Sequence, residues 1–161
     1  MFHLFLSHSS ADAPLALRIK THIEETGGAQ VYLAELDVEP GADLAAKVQT
    51  EIRRSDATIV LLTRNAIESA YVNQEVGFAL NGQIVIPIVE KGFDRSRLGM
   101  LQGREYIEID PSSPDDSLSR LNAYVIARTR RKDQAELILL LGLAGLLVLL
   151  ALNSGQGGAG G

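Results

Sequence analysis

Two groups of polar residues have the types and spacing needed for a reactive site. In the first, Ser7 to Asp12 (SHSSAD), hydroxyls, an imidazole and a carboxylate directly follow an apolar run. The second contains Glu75, in a stretch with helical spacing. At about 100° per residue, Glu75 falls on the shoulder of an apolar stripe. The members of that stripe are Val72, Val76, Ala79 and Leu80. A carboxylate there is partly desolvated and can act on a bound ligand, although a solvated helix glutamate fits the same position.

Short apolar runs alternate with helical patterns along the chain, and this alternation predicts the elements that position both groups. Strands are predicted at 2–7, 30–33, 57–63, 84–89 and 106–109. Helices are predicted after Asp12, from Leu44, over 72–81 and around 118–125. The pattern indicates an α/β fold, a flavodoxin-like, doubly wound five-stranded parallel sheet with helices on both faces. In the strand order 2-1-3-4-5, ligands bind at the carboxyl ends of strands one and three, a crevice lined here by residues 7–12 and 63–75.

Composition excludes several classes of function. The chain has 20 Asp and Glu against 15 Lys and Arg, a net charge of −5, which argues against a nucleic-acid partner. It has no Cys, which excludes disulfides and a thiolate nucleophile. The three histidines, His3, His8 and His22, lack metal-ligand spacing, so no metal site is predicted.

Other sites that use this topology fail on particular residues. A phosphoacceptor receiver needs an acidic pair after strand one and an aspartate at the end of strand three, where this chain has Ser7 and Thr63. A flavodoxin needs a phosphate loop after strand one, yet SHSSAD contains no glycine. Neither G-x-G-x-x-G nor a Walker loop occurs.

Taken in order, the motifs resemble those of the Toll/interleukin receptor (TIR) domain, specifically its bacterial branch. The first box of that family reads F-[IL]-S-[YH]-S-x-x-D, and this chain has FLSHSSAD, ending at Asp12. The glutamate motif of the family reads S-x-W-x-x-x-E, and this chain has Ser69, Tyr71 and Glu75 at matching spacing. The resemblance covers residues 1–127.

The resemblance implies an enzyme that cleaves NAD+ between nicotinamide and ribose, with NAD+ as substrate and no cofactor. Glu75 would be the catalytic carboxylate and would stabilise an oxocarbenium-like transition state. The resemblance also implies a substrate-binding set, made up of Ser7, His8, Ser9, Ser10, Asp12, Asp37, Ser69 and Tyr71. Within it, Asp12 is equally a helix cap, and Ser69 either orients Glu75 or caps its helix.

Homotypic TIR–TIR association is the partner interaction that the resemblance implies. The loop from Glu35 to Asp43 corresponds to the family loop that mediates assembly and gates the site, and its plainer interpretation is a solvated connection. Association would switch on NAD+ cleavage, in antiphage defence or signalling. A catalytically silent adaptor is the alternative, because Tyr71 replaces the usual Trp. A sensor that binds a nucleotide without turnover is a third interpretation.

The run from Leu137 to Leu152 (LILLLGLAGLLVLLAL) contains only apolar residues and two glycines. It predicts a C-terminal hydrophobic helix that spans a membrane, although its rise of about 24 Å is short of a hydrocarbon core of about 30 Å. Self-association of these tails in water is the alternative. The basic residues from Arg128 to Lys132 then place the amino-terminal domain in the cytoplasm, in a single-pass membrane protein. The predicted division is a TIR domain (1–127), a basic juxtamembrane linker (128–136), the membrane helix (137–152) and a flexible Gly-rich tail (153–161).

Overall fold

Five parallel strands form one sheet at the centre of the fold. In the computed structural model, which describes residues 1–26, 28–33, 44–66, 82–98 and 101–154, they are β1 (Phe2–Ser7), β2 (Ala29–Leu33), β3 (Ala57–Leu62), β4 (Ile84–Glu90) and β5 (Ile107–Ile109). Their order is β2-β1-β3-β4-β5, and every neighbouring pair is parallel. This order confirms the predicted flavodoxin-like sheet, and it places the reversal of strand order between β1 and β3.

Helices cover both faces of the sheet. The described ones are α1 (Ala13–Thr26), α2 (Leu44–Arg54) and α3 (Asp115–Ser154). Helices α1 and α3 pack on one face, where Ile19, Ile23 and Leu121 join a core that includes Ile59 of β3. Helix α2 packs on the other face through Val48 and Ile52. All six residues of β3 are buried, as expected for the middle strand of a sheet covered on both sides.

Proline in a strand usually marks an edge, because it cannot donate to the ladder. Pro87 nevertheless lies in β4, which has β3 on one side and β5 on the other. The register explains how this is tolerated: β5 pairs only with Ile88 to Glu90. Among the described residues, therefore, β4 has a paired neighbour beside Pro87 on one side alone.

The free edge of β2 is covered by two side chains of α1. The ammonium group of Lys20 donates to the carbonyl oxygen of Val31 at 2.6 Å, and the N–H of Val31 donates to the carboxylate of Glu24 at 2.9 Å. Lys20 and Glu24 also form an ion pair at 2.5 Å. Both main-chain groups of Val31 are thus satisfied by side chains, which blocks the addition of another strand at this point.

This arrangement predicts an acid-dependent loss of stability. Burial raises the pKa of Glu24, but the hydrogen bonds from Lys20 and from the N–H of Val31, together with the Lys20 charge, bring it below its usual value. A carboxyl whose pKa is lowered on folding contributes stability above its unfolded-state pKa and loses it as the pH falls through the folded-state pKa. We expect Glu24→Gln to destabilise the protein at pH 7 and to have little effect at pH 3.

Urea denaturation of the wild type and Glu24→Gln at the two pH values measures this difference. Glu25→Gln, at the next and exposed position of α1, is the matched control. An equal effect of Glu24→Gln at both pH values would contradict the prediction.

Helix α3 is fixed to the amino ends of the strands by Lys132. Its ammonium group donates to the carboxylate of Asp56 at 2.9 Å and to the carbonyl oxygen of Met1 at 3.2 Å. The same Asp56 carboxylate accepts the N–H of His3 at 2.8 Å. Nearby, Thr129 is buried. The predicted domain boundary after residue 127 therefore falls inside a continuous helix that is still packed on the sheet at Lys132.

The prediction of a membrane span at 137–152, and with it a single-pass membrane localisation, is wrong. None of the helices in the described ranges is both long enough and apolar enough to cross a bilayer. The uninterrupted apolar run rises only about 24 Å, against the roughly 30 Å that a span requires. Residues 137–152 belong to the far part of α3 and do not form a separate helix, and large side chains there, such as Leu137 and Leu147, are exposed.

Candidate functional site

The loops that follow β1 and β3 meet at the carboxyl end of the sheet. Ser7 ends β1 and lies opposite Val60 of β3 in the register, which brings residues 8–12 beside residues 63–66. Ser7, His8 and Ser9 are buried, whereas Ser10 is exposed. Buried hydroxyl and imidazole groups therefore lie at the position predicted for the crevice, between β1 and β3.

Asp12 joins the two loops. Its side chain is buried, 6% exposed, and its carboxylate accepts three side-chain hydrogen bonds. Oδ2 accepts from the hydroxyls of Ser9 and of Thr63, the latter at 2.6 Å. Oδ1 accepts from the side-chain amide of Asn65 at 2.9 Å. The sequence predicts either a helix cap or a ligand contact for Asp12. The described contacts support a third role, in which Asp12 links the two loops through hydrogen bonds.

Thr63 connects the Asp12 carboxylate to the main chain of the second loop. Its hydroxyl donates to Asp12 and accepts the N–H groups of Asn65 at 3.1 Å and of Ala66 at 3.2 Å. A threonine hydroxyl has one proton and two lone pairs, so all three of its positions are used. The turn from Thr63 to Ala66 is fixed in this way at the point where the chain leaves β3.

A second carboxylate reaches the same turn from β4. Glu90, with only 11% of its side chain exposed, forms an ion pair with the guanidinium of Arg64 at 2.7 Å. It also accepts the main-chain N–H of Arg64 at 2.8 Å. Two guanidinium nitrogens, Nε and Nη2, contact the same oxygen, Oε1, while Oε2 accepts the main-chain N–H, so both oxygens of Glu90 are bound to Arg64.

His8 is oriented by its own loop. Its Nδ1 lies 2.9 Å from the carbonyl oxygen of Ser9. A carbonyl only accepts, so Nδ1 donates, and in the neutral ring Nε2 is left as the acceptor. This hydrogen bond fixes the orientation of the imidazole at the carboxyl end of β1.

The structure brings part of the predicted site together. Ser7, His8, Ser9, Ser10 and Asp12 occupy one loop region at the carboxyl end of β1. Four further predicted residues lie outside the described residues, namely Asp37, Ser69, Tyr71 and Glu75. The same is true of the loop from Glu35 to Asp43 and of the helix predicted over 72–81.

Sequence reasoning missed the roles of Asn65, Arg64 and Glu90. Asn65 lies 53 positions from its partner Asp12, and Arg64 lies 26 from Glu90, so no local spacing connects them. The sequence did offer one signal for these contacts. Polar residues stand at the carboxyl ends of two buried strands, namely Thr63 to Asn65 and Glu90, and the carboxyl ends of parallel strands meet at one edge of a sheet.

The crevice offers chemistry of a definite kind. Short hydroxyls and an oriented imidazole can bind the hydroxyls of a polar ligand, while the two carboxylates described at these loops, Asp12 and Glu90, are already engaged by protein donors. A separate cavity of about 560 Å³ lies away from the crevice, with His3, Gln30 and Arg54 among its lining residues.

Comparison with known proteins identifies the architecture. The family model described as "TIR domain" matches residues 4–122. This range contains the loop regions of the crevice and the motif that ends at Glu75. No protein of curated function matches the sequence.

Solved structures resemble the fold at low sequence identity. The TIR domain of the Toll-related receptor TRR-2 from Hydra magnipapillata superposes with a TM-score of 0.60 at 16% identity, covering 83% of this chain and 98% of that one. A prokaryotic SEFIR domain gives 0.61 at 19% identity, covering 78% and 92%. A metazoan TIR-STING receptor from C. gigas gives 0.63 at 23% identity, covering 79% of this chain and 39% of that one. These neighbours share the fold, and they do not single out the bacterial branch.

Proposed function

The chain belongs to the TIR domain family, and on that premise we propose that it cleaves NAD+ at the bond between nicotinamide and ribose. The observation that carries the proposal is the junction of the loops that follow β1 and β3, where Ser7, His8 and Ser9 are buried. It lies where doubly wound sheets bind nucleotides. The family match extends over the glutamate motif as well, so the proposal assigns Glu75 to this crevice.

The chemistry needs one carboxylate. As the glycosidic bond breaks, positive charge develops on the ribose in an oxocarbenium-like transition state, which the Glu75 carboxylate would stabilise. The nicotinamide nitrogen is cationic in NAD+ and leaves as a neutral base, so the leaving group requires no general acid. A water molecule then bonds to the ribose carbon in place of nicotinamide and releases a proton to the solvent. The engagement of Asp12 and Glu90 by protein donors is compatible with this mechanism, because it asks for no second free carboxylate.

The remaining predicted residues would bind the substrate. Hydroxyls and main-chain groups from Ser7 to Ser10 would meet the ribose or phosphates. Ser69 would orient Glu75, and Tyr71 would flank the nicotinamide ribose in the place of the family tryptophan. Asp37 would reach the site from the loop after β2. Self-association of the domain would bring this set into its active arrangement.

A non-catalytic adaptor is the second candidate. One observation favours it: Tyr71 stands where the family motif has Trp, so an aromatic contact to the substrate is smaller. An adaptor would associate with other TIR domains without releasing nicotinamide.

One assay separates the two candidates. Purified full-length protein is incubated with NAD+ over a range of protein concentrations, nicotinamide release is followed by chromatography, and light scattering reports association. Glu75→Gln controls for contaminating enzymes. We expect release whose specific rate rises with association. Association without release would favour the adaptor and contradict the proposed reaction.

A further inference from the structure

The turn from Thr63 to Ala66 is held from both sides by carboxylates next to the two strands that flank β3. Asp12 follows β1 and binds the side chains of Thr63 and Asn65. Glu90 ends β4 and binds Arg64, the residue between them. We propose that Asp12 and Glu90 are positioning residues that form a carboxylate clamp, which fixes the turn from which the chain continues toward Glu75.

The contacts alternate along the turn. Residues 63 and 65 are held on the β1 side and residue 64 on the β4 side, so the turn cannot move toward either neighbour without breaking a bond to a carboxylate. Both carboxylates are largely shielded from water, with Asp12 6% and the Glu90 side chain 11% exposed. Hydrogen bonds to charged groups in such surroundings are stronger than those in water.

The Asp12 side of the clamp also sets the direction of the Thr63 hydroxyl. Because Asp12 can only accept, Thr63 must donate to it, and both of its lone pairs remain for the N–H groups of Asn65 and Ala66. Loss of the acceptor at position 12 frees the hydroxyl to rotate and weakens both main-chain bonds. The clamp therefore acts on the backbone of the turn through a side chain.

An exchange of donor and acceptor tests the Asp12 side. Asn65→Asp places two carboxylates face to face where the present pair is 2.9 Å apart. Adding Asp12→Asn restores a complementary pair, because the amide at position 12 can donate to the carboxylate at position 65. We expect Asn65→Asp to speed hydrogen exchange of the amides of residues 64–66 by at least about tenfold, and the double variant to return it to within about threefold of wild type.

Two further comparisons keep the test decisive if Asn65→Asp does not fold. Thr63→Val removes the hydroxyl and should speed exchange, whereas Thr63→Ser keeps it and should not. Glu90→Gln leaves one acceptor oxygen for two groups of Arg64, its guanidinium and its main-chain N–H, and replaces the other oxygen with a donor, so it should weaken the pairing and speed exchange at Arg64. Asp133→Asn, an exposed carboxylate of α3, is the matched control and should leave the turn unchanged. Wild-type exchange in Asn65→Asp, Thr63→Val and Glu90→Gln would overturn the clamp.

The catalytic consequence rests on the proposed function and has its own readout. Nicotinamide release is measured at a temperature where every variant is folded. We expect Asn65→Asp and Glu90→Gln to lower kcat by about tenfold and to change KM by less than about twofold. The double variant, Asn65→Asp with Asp12→Asn, should recover kcat. A raised KM with unchanged kcat would instead assign the altered residue, Asn65 or Glu90, to substrate binding. A lowered Tm with unchanged kcat would make the clamp purely structural.

The two ideas can fail separately. A wild type that releases no nicotinamide contradicts the proposed function, and the hydrogen-exchange comparison still decides whether the clamp holds the turn. An active wild type whose clamp variants show unchanged exchange and unchanged kcat contradicts the clamp alone.

Discussion

Replacement of Glu75 by Gln is expected to lower the rate of nicotinamide release by about a hundredfold to a thousandfold, the range found when one preorganised electrostatic contact to a transition state is removed. The amide has nearly the shape of the carboxylate but no charge, so it can still hydrogen-bond the ribose while it loses most of the stabilisation of the oxocarbenium ion. We therefore expect kcat to fall and KM to change by less than about threefold.

Steady-state measurement of nicotinamide release checks this expectation. Glu105→Gln makes the same chemical change at an exposed position and should leave kcat at the wild-type value. A Glu75→Gln variant that retains more than about a third of the wild-type kcat would rule out Glu75 as the catalytic carboxylate.

The largest effect on stability is expected from Leu61→Ala. Leu61 is fully buried in β3, where it pairs in register with Ile88 of β4. Because β3 is covered by helices on both faces, the space left by three missing carbon atoms cannot be filled by a small shift of one layer. We expect a loss of about 3 to 4 kcal/mol in the free energy of unfolding, within the range for buried leucines.

A matched substitution shows that burial is the cause. Leu17 in α1 is 48% exposed, and Leu17→Ala should change the free energy of unfolding by about 0.5 kcal/mol or less. Urea denaturation monitored by circular dichroism gives both values. Equal destabilisation by the two substitutions would contradict the assignment of β3 as the central, doubly covered strand.

The strands could be predicted from the sequence because their signal is local. The run of β-branched residues and leucines from Ala57 onward has the composition of a strand buried on both faces, and the structure has β3 at the middle of the sheet. The crevice position followed from strand order alone, by a rule that does not depend on side chains. The predicted order and the observed order agree, and so the loops after β1 and β3 meet.

The partners of Asp12 could not be predicted in the same way. Sequence spacing suggested a helix cap or a ligand, since both roles are recognisable within a few residues. The observed contacts to Thr63 and Asn65 depend on the register of β1 against β3, in which Ser7 lies opposite Val60. A one-residue shift of that register would separate these side chains. The hydrophobic periodicity of the sequence does not determine the register of β1 against β3 to one residue.

The apolar run from Leu137 to Leu152 differs from its sequence-based prediction for a related reason. Its composition alone predicts a separate segment, whereas in the structure it continues α3, which begins at Asp115. The intervening residues 128–136 contain neither glycine nor proline and are mostly good helix formers, so nothing ends the helix there. Helix continuity, set by the absence of a stop signal, determined the structure of this region.

The contact between Lys132 and Asp56 has a practical consequence for any experiment that needs the protein on a surface. From that contact to Ser154, α3 rises about 33 Å further, and it leaves from the amino ends of the strands, whereas the crevice opens at their carboxyl ends. A molecule attached by the far end of α3 would therefore hold its crevice toward the solution. A row of molecules attached in this way would present many crevices facing outward at a density set by the experimenter.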